Sequence, residues 1–159
     1  GVNIRDMDGG GKFPKEFNDY QIVEPNQLIF CLYDIDETPR TVGLSSQHGM
    51  ITSSYDVMTV TNENDPRYWD YFYRMIDYHK GLRPFYTGLR NVVRNDTFEV
   101  ITIYRPPLQE QEKISNFIET EYKKIDELIK KQELKIKTLK EYKKSLLFEV
   151  ITGKRNVSD

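Results

Sequence analysis

The pattern of hydrophobic and polar residues divides the chain into two parts that meet at Pro106 and Pro107. Before these prolines, short β-branched and aromatic runs alternate with turn residues, a pattern typical of domains that mix strands and helices. After them, neither proline nor glycine occurs before Gly153, and Lys, Glu, Leu and Ile recur at helical spacing. The sequence therefore predicts a mixed α/β (α+β) domain with a small twisted sheet over residues 1–106. One long coiled-coil-forming α-helix is predicted over residues 107–153.

Short apolar runs bounded by turn residues predict the strands of the first part. The three longest runs are LIFCLY, YDVMTVT and FEVITIY, at residues 28–33, 55–61 and 98–104. Two shorter extended pieces are expected at residues 41–44 and 50–52. Cys31 lies inside the first run and is therefore predicted to be a small core residue.

One helix is predicted after Asp65, whose side chain suits the capping of a first turn. Pro66 fits the first helical position, because that position needs no backbone N–H. Gly81 stands where such a helix is expected to end. Apolar residues between them recur at the three- and four-residue spacing of a helix, at Tyr68, Trp69, Phe72, Met75 and Ile76.

The second part carries a heptad pattern. A helix from about residue 111 to 151 would be on the order of 60 Å long at about 1.5 Å per residue. No small domain covers both sides of such a rod, so the helix is expected to pack along another long helix. Two seam positions, Gln132 and Lys143, are polar, and polar core residues fix register and partner in coiled coils. The predicted seam consists of Ile118, Tyr122, Ile125, Ile129, Gln132, Ile136, Leu139, Lys143, Leu146 and Val150.

Composition narrows the class of protein. Aromatic residues make up 13% of the chain, which is too many for a disordered protein. No run approaches the roughly 18 apolar residues that a membrane span needs. The single cysteine excludes an intrachain disulfide framework, and with only two histidines a structural zinc site is not expected. A reduced, cytoplasmic setting fits this cysteine content best.

Basic residues are concentrated in the segment KGLRPFYTGLRNVVRND at residues 80–96, although the formal net charge of the chain is -2. Arginine and asparagine, which can contact guanine and adenine edges bidentately, alternate there with glycine and aromatic residues. Glycine lets a backbone approach a phosphate closely. A DNA-binding loop is therefore predicted, and a surface connection with solvated arginines is the alternative. The expected contacts are Arg83, Arg90, Asn91 and Arg94, with Lys80 on a phosphate, and a second loop with Arg40, Gln47 and His48.

The motifs that suggest catalysis are weak. The GGGK run at residues 9–12 resembles the end of a phosphate-binding loop, but Phe13 stands where Ser or Thr is needed, so a turn is predicted. His48 and His79 have no recognisable Cys or Ser partner. Three carboxylates after the first predicted strand leave a metal-dependent nuclease as an alternative to solvated loop residues. They are Asp34, Asp36 and Glu37.

Four ordered motifs stand near the end of the chain: PPLQEQ at 106–111, IDELI at 125–129, LKEYKKSL at 139–146 and TGK at 152–154. In this order and spacing they resemble the conserved region of type I restriction–modification specificity subunits. Upstream, GMITSSYDVMTV and TGLRNVVRNDTFEVITIYRPP resemble the strand pair and the Gly-x-x-Arg segment of the target domains of that family.

The resemblance implies a target-recognition domain followed by a conserved spacer helix, with no catalytic centre, metal or cofactor of its own. Such subunits select a double-stranded DNA sequence and dock methyltransferase subunits, which use S-adenosylmethionine, and through them ATP-dependent restriction subunits. A complete member has two target domains and two antiparallel helices, and this chain has one of each. The C-terminal half of a subunit, or a natural half-subunit shortened at its N-terminus, is therefore expected, paired through its helix with a second copy or another half-subunit. An interaction or inhibitor protein without DNA binding is the alternative.

Overall fold

A computed structural model describes residues 2–3 and 16–157, so the GGGK run lies outside the described residues. The chain forms two compact units, which divide between Ser115 and Asn116. The first unit carries the strands and short helices together with the first two turns of a long C-terminal helix. The predicted fold class, a mixed domain with a small sheet followed by one long helix, is confirmed.

Five short strands form two antiparallel sheets. β1 (Tyr20–Val23) pairs with β4 (Gly49–Thr52), and β2 (Gln27–Phe30) lies between β3 (Val42–Leu44) and β5 (Asp56–Thr59). Four of the predicted extended runs are thus confirmed as β2 to β5; β2, β3 and β5 are shorter than predicted, and β4 is one residue longer. β1 was not predicted, although Tyr20, Ile22 and Val23 are strand-forming residues; only its last residue is buried.

The central strand β2 is buried on both faces. Leu28, Ile29 and Phe30 are each at most 5% exposed, which is why the strand reads as an unbroken apolar run. Cys31 follows them, is also buried, and donates its backbone N–H to the Thr41 carbonyl at 2.8 Å. The prediction that Cys31 is a core residue is therefore confirmed.

The helix predicted after Asp65 is α1 (Pro66–Tyr78). The Asp65 carboxylate accepts a hydrogen bond from the Arg67 backbone N–H at 2.9 Å, and proline occupies the first turn as expected. Burial acts to raise the pKa of Asp65, but hydrogen bonds from Arg67 outweigh it, so the pKa lies below its ordinary value. The helix packs on β2 and β3, with Trp69 buried against the sheet.

The end of α1 is formed by Lys80 rather than by Gly81. Lys80 adopts the left-handed conformation with φ 49°. The Gly81 N–H donates to the Ile76 carbonyl at 2.8 Å, and the Lys80 N–H donates to the Asp77 carbonyl at 2.9 Å. These two bonds satisfy the last carbonyls of the helix in the arrangement that usually places glycine at the left-handed position.

The strand predicted at residues 98–104 is wrong. This stretch begins inside a short helix, α2 (Asn95–Glu99), and the Phe98 ring packs 5.2 Å from the Phe30 ring, centroid to centroid. Both edges of β2 are already occupied by β3 and β5, and among the described residues no other strand pairs with this run. Its apolar residues Ile101 and Ile103 instead pack half-buried against the core.

The long helix α3 (Leu108–Ile151) contains 44 residues. Gln111, near its start, is fully buried. The Gln111 side chain accepts from the Asp65 N–H at 2.9 Å and donates to the Pro106 carbonyl at 2.8 Å and to Asn64 Oδ1 at 3.2 Å. The first turns of α3 are thereby joined to the N-terminus of α1. No helix of the described residues has the length and apolar character to cross a membrane.

Candidate nucleic-acid interface

The candidate interface lies at the end of the three-stranded sheet where Phe30 pairs with Val42 on one side and with Asp56 on the other. At this end the β2–β3 connection meets the segment between α1 and α2. Residues 33–40 and 80–96 of these two connections are called the arginine surface below. Both segments are loops on a packed scaffold, where binding residues are most often found.

Backbone hydrogen bonds tie the two segments of the arginine surface together. The Asp34 N–H donates to the Arg90 carbonyl at 2.7 Å, and the Val93 N–H donates to the Leu32 carbonyl at 2.9 Å. Asp34 itself is left-handed, with φ 49°. The relative position of the two loops is therefore set by the backbone, before any side chain is considered.

A tight loop projects from the second segment. Thr87 and Val92 form an antiparallel bridge that closes it. Gly88 and Asn91 take positive φ values of 67° and 47°, which glycine and asparagine tolerate better than other residues. Between them, Leu89 is fully exposed. The predicted contact Asn91 thus supports the loop through its backbone conformation.

Arg90 is held by Asp34. Its Nε donates to Asp34 Oδ1 at 3.1 Å, and its Nη2 contacts Asp34 Oδ2. The guanidinium also lies over the Tyr33 ring, 5.3 Å from the ring centroid. The hydrogen bond from Arg90 lowers the pKa of the Asp34 carboxyl, and the same bond raises the pKa of Arg90. The Arg90 side chain nevertheless remains 66% exposed.

Arg83 is held by Asp36 in a similar way. Its Nε donates to Asp36 Oδ1 at 3.0 Å, while the Tyr86 hydroxyl donates to the same oxygen at 3.3 Å. Burial, together with the Asp36 charge, raises the pKa of Tyr86 to about 12, so this hydroxyl keeps its proton. The Arg83 side chain is 64% exposed. The surface therefore presents two arginines, each backed by a carboxylate from the other segment.

Arg94, the third predicted arginine, has a looser partner. Its Nη2 lies 3.3 Å from Asp96 Oδ2, and both side chains are 67% exposed. Exposed pairs of this kind contribute little to stability. Arg94 is therefore less constrained than Arg83 and Arg90.

The predicted phosphate contact Lys80 faces the protein instead of the solvent. Its ammonium donates to the Ile35 carbonyl at 2.8 Å, to the Thr38 carbonyl at 3.3 Å and to Asp77 Oδ1 at 2.9 Å. Asp77 Oδ2 in turn accepts from the Thr41 N–H at 3.1 Å. Because an ammonium has three donors, a phosphate contact by Lys80 would require breaking one of these bonds. Lys80 instead fixes the shape of the β2–β3 connection.

The second predicted loop does not form one site. Arg40 precedes β3 and lies at the end of the sheet that carries the arginine surface, whereas Gln47 and His48 follow β3 at the opposite end. The strand between them spans about 10 Å. His48 Nε2 lies 3.3 Å from Glu24 Oε1 on the exposed surface. Of the three residues, only Arg40 belongs to the arginine surface.

The carboxylates considered for a nuclease serve as arginine partners. Asp34 and Asp36 each bind a guanidinium, and Glu37 is exposed beside them. Among the described residues, no group of three or more His, Cys, Asp or Glu is placed to hold a metal ion. Sequence reasoning missed their pairing with Arg90 and Arg83, since nothing in the sequence shows that two loops about fifty residues apart meet.

Most of the predicted seam of α3 is exposed. Its larger apolar side chains between residues 122 and 139 are 49% to 57% exposed, and Gln132 and Lys143 are exposed too. Ile118, Leu146 and Val150 are half-buried. Leu134 and Phe148, which lie outside the seam, are also 64% and 56% exposed.

Comparison with known proteins adds one match. A family model described as "Type I restriction modification DNA specificity domain" matches residues 42–138, more than half of the chain. The matched range includes the 80–96 segment of the arginine surface and most of α3, and it begins after Asp34 and Asp36. No curated protein sequence matches the chain significantly.

Proposed function

Since the chain belongs to the family of type I restriction-modification DNA specificity domains, we propose that it reads one half-site of a DNA target through the arginine surface and has no catalytic centre of its own. Membership in this family identifies a DNA-recognition part of such a system. The proposal adds which surface contacts DNA, what the helix does and what the chain leaves to its partners.

The pairing of exposed arginines with carboxylates on a fixed pair of loops carries the proposal. Arg83 and Arg90 present more than half of their side chains to solvent, yet each is oriented by an acceptor from the neighbouring loop. Arginine is the side chain that most often contacts guanine specifically. Arg94, Asn91 and Arg40 lie in the same two segments, and they complete the set of proposed DNA contacts.

The long helix is proposed to act as a spacer between two recognition units. About five turns of α3, from Tyr122 to Leu139, expose an apolar stripe at heptad spacing, which a lone helix leaves in water. A second copy, or another half-subunit, packed antiparallel along Ile125, Ile129, Ile136 and Leu139 would bury that stripe. The helix then fixes the distance between two half-sites.

Docking of a methyltransferase subunit is proposed to use the apolar side chains that the seam leaves over, Leu134 and Phe148 among them. In this arrangement S-adenosylmethionine and ATP belong to the methyltransferase and restriction subunits, and this chain supplies the choice of sequence. The proposed place of DNA recognition is the cytoplasm.

Selection from a pool of randomised duplex DNA tests the proposal. The purified chain is expected to enrich one short sequence motif, and binding to that motif is expected to weaken as salt rises, because phosphate contacts release counterions. Arg83→Ala with Arg90→Ala should abolish enrichment, whereas Lys130→Ala with Lys137→Ala, on α3, should leave it unchanged. Failure of the unaltered chain to enrich any motif, alone and with a co-purified methyltransferase subunit, would favour an interaction protein without DNA binding.

A further inference from the structure

We propose that Asp34 and Asp36 are positioning residues that aim Arg90 and Arg83 at guanine bases in the major groove, so that the recognised half-site contains guanine where these arginines reach. The inference rests on the proposed DNA-recognition function and adds the base that is read and the residues that make the contact specific.

The N–H donors of Arg90 that Asp34 does not bind are the ones that contact guanine. A guanidinium has five N–H donors. Asp34 takes Nε and one hydrogen of Nη2. Nη1 and the other Nη2 hydrogen are not used by Asp34, and this edge is the one that binds O6 and N7 of guanine bidentately.

Arg83 is held by a one-point version of this contact. Asp36 binds its Nε, which again leaves the Nη1–Nη2 edge for a ligand. Asp36 is itself held by the Tyr86 hydroxyl, and its side chain is only 31% exposed. A side chain held in its bound orientation loses less conformational freedom when it meets its ligand.

Electrostatics favours a base over a phosphate as the ligand. A carboxylate directly behind a guanidinium repels a phosphate, which weakens sequence-independent binding. The acceptor atoms of guanine carry no formal charge, so they meet the arginine edge without that repulsion. Each positioned pair is therefore poorer at binding the DNA backbone and better at reading a base than a free arginine.

Asparagine variants test this without rebuilding the loops. Asp34→Asn keeps the shape of the side chain, and asparagine tolerates the left-handed conformation of residue 34 as aspartate does. Its amide nitrogen cannot accept from Arg90, so the two-point contact is lost. Asp36→Asn removes only the negative charge behind Arg83, because the single bond from Arg83 Nε to Oδ1 can persist in the variant. Glu37→Gln is the matched control, since it removes one negative charge from the same loop at an exposed position.

The measurement is affinity for two duplexes, the motif enriched by the unaltered chain and a scrambled duplex of equal length. Asp34→Asn is expected to weaken binding to the motif by about 10-fold or more, the effect of one bidentate base contact, and to strengthen binding to the scrambled duplex. A repeated selection with Asp34→Asn should lose the preference for guanine at one position. Glu37→Gln should strengthen binding to both duplexes alike and keep their ratio.

Two results overturn the inference. One is a motif without guanine. The other is an Asp34→Asn variant that changes both affinities in parallel, as the control does, because the carboxylate would then act only as a nearby charge. In both cases the unaltered chain still selects a motif, so the proposed function stands. A chain that selects no motif contradicts the proposed function instead, and thermal unfolding of each variant shows whether it is folded.

Discussion

Lys80 illustrates how a cation in a basic segment can be a structural residue. Its side chain is 22% exposed and bonds two carbonyls of the β2–β3 connection as well as Asp77. Lys80→Met keeps the aliphatic stem and removes these bonds. A hydrogen bond to a charged group contributes about 1.5–3 kcal/mol to stability. The free energy of unfolding in urea is therefore expected to fall by about 2 kcal/mol.

Lys113→Met, at an exposed position of α3, is the matched control and should leave the free energy of unfolding unchanged. The slope of log affinity for DNA against log salt separates the two roles of Lys80. A phosphate contact would lower that slope by about one when lost. If Lys80→Met has normal stability and a reduced salt slope, Lys80 contacts a phosphate, as the sequence predicted, and the structural role is contradicted.

Asp65 gives a pH-dependent prediction. Its folded-state pKa is lowered, so its contribution to stability is present above its unfolded value and is lost as pH falls through the folded pKa. Asp65→Asn keeps a good helix cap but removes the charge that pairs with Arg67. The free energy of unfolding of the variant is expected to be about 1 kcal/mol lower than that of the unaltered chain at pH 7. This difference should shrink below about pH 4. Urea unfolding between pH 3 and pH 7 measures it, and a constant difference would contradict the prediction.

The sequence identified which residues matter at single positions, but not which residues they bond to. Asp65 and Pro66 follow rules that act within one turn of helix, so the sequence alone identified them. Arg83 and Arg90 were predicted as DNA contacts, and that assignment stays a prediction. Their carboxylate partners were missed because Asp34 and Asp36 lie in a different loop, and only the folded sheet brings the two loops together.

At the scale of elements, helices and strands with strong local patterns were predictable, whereas the short strand β1 and the availability of pairing partners were not. α1 and the four strands β2 to β5 have patterns that match their burial. The run at residues 98–104 alternates like a strand, but β2 already has a neighbour on each side, and the alternation serves packing on the core instead. A pattern read one segment at a time does not show whether a pairing partner is available.

The junction between α1 and α3 depends on one side chain. Gln111 is fully buried and satisfies Asp65, Asn64 and the Pro106 carbonyl. Gln111→Leu keeps the side-chain volume but leaves the Asp65 N–H and the Pro106 carbonyl without this partner, while Asn64 Oδ1 keeps the bond from the Trp69 indole. The free energy of unfolding is therefore expected to fall by about 2–4 kcal/mol. Gln109→Leu makes the same change at an exposed position of the same helix and should cost little. Equal stability of the two variants in urea would show that the buried network is dispensable.

For the whole molecule, the proposed function links the apolar seam of α3 to the recognition loops. In that proposal one recognition unit reads one half-site, so a two-fold pair of units would read an inverted repeat. The stripe through Ile125, Ile129, Ile136 and Leu139 is exposed along about four turns of helix. A second copy packed antiparallel would bury it and would set the spacing of the two half-sites through the length of the helix.

The unaltered chain is therefore expected to sediment as a dimer at micromolar concentration and to select an inverted repeat with a fixed spacer. Ile136→Asp with Leu139→Asp places charges in the seam, so the dimer should dissociate and the affinity for the repeat should fall by about 100-fold or more as the second contact is lost. Thr138→Asp with Ser145→Asp adds the same charge on a face of the helix that points away from the seam, and it should preserve both properties. A chain that sediments strictly as a monomer would refute self-association through α3, and dimers that survive the seam substitutions would place the contact elsewhere on the molecule.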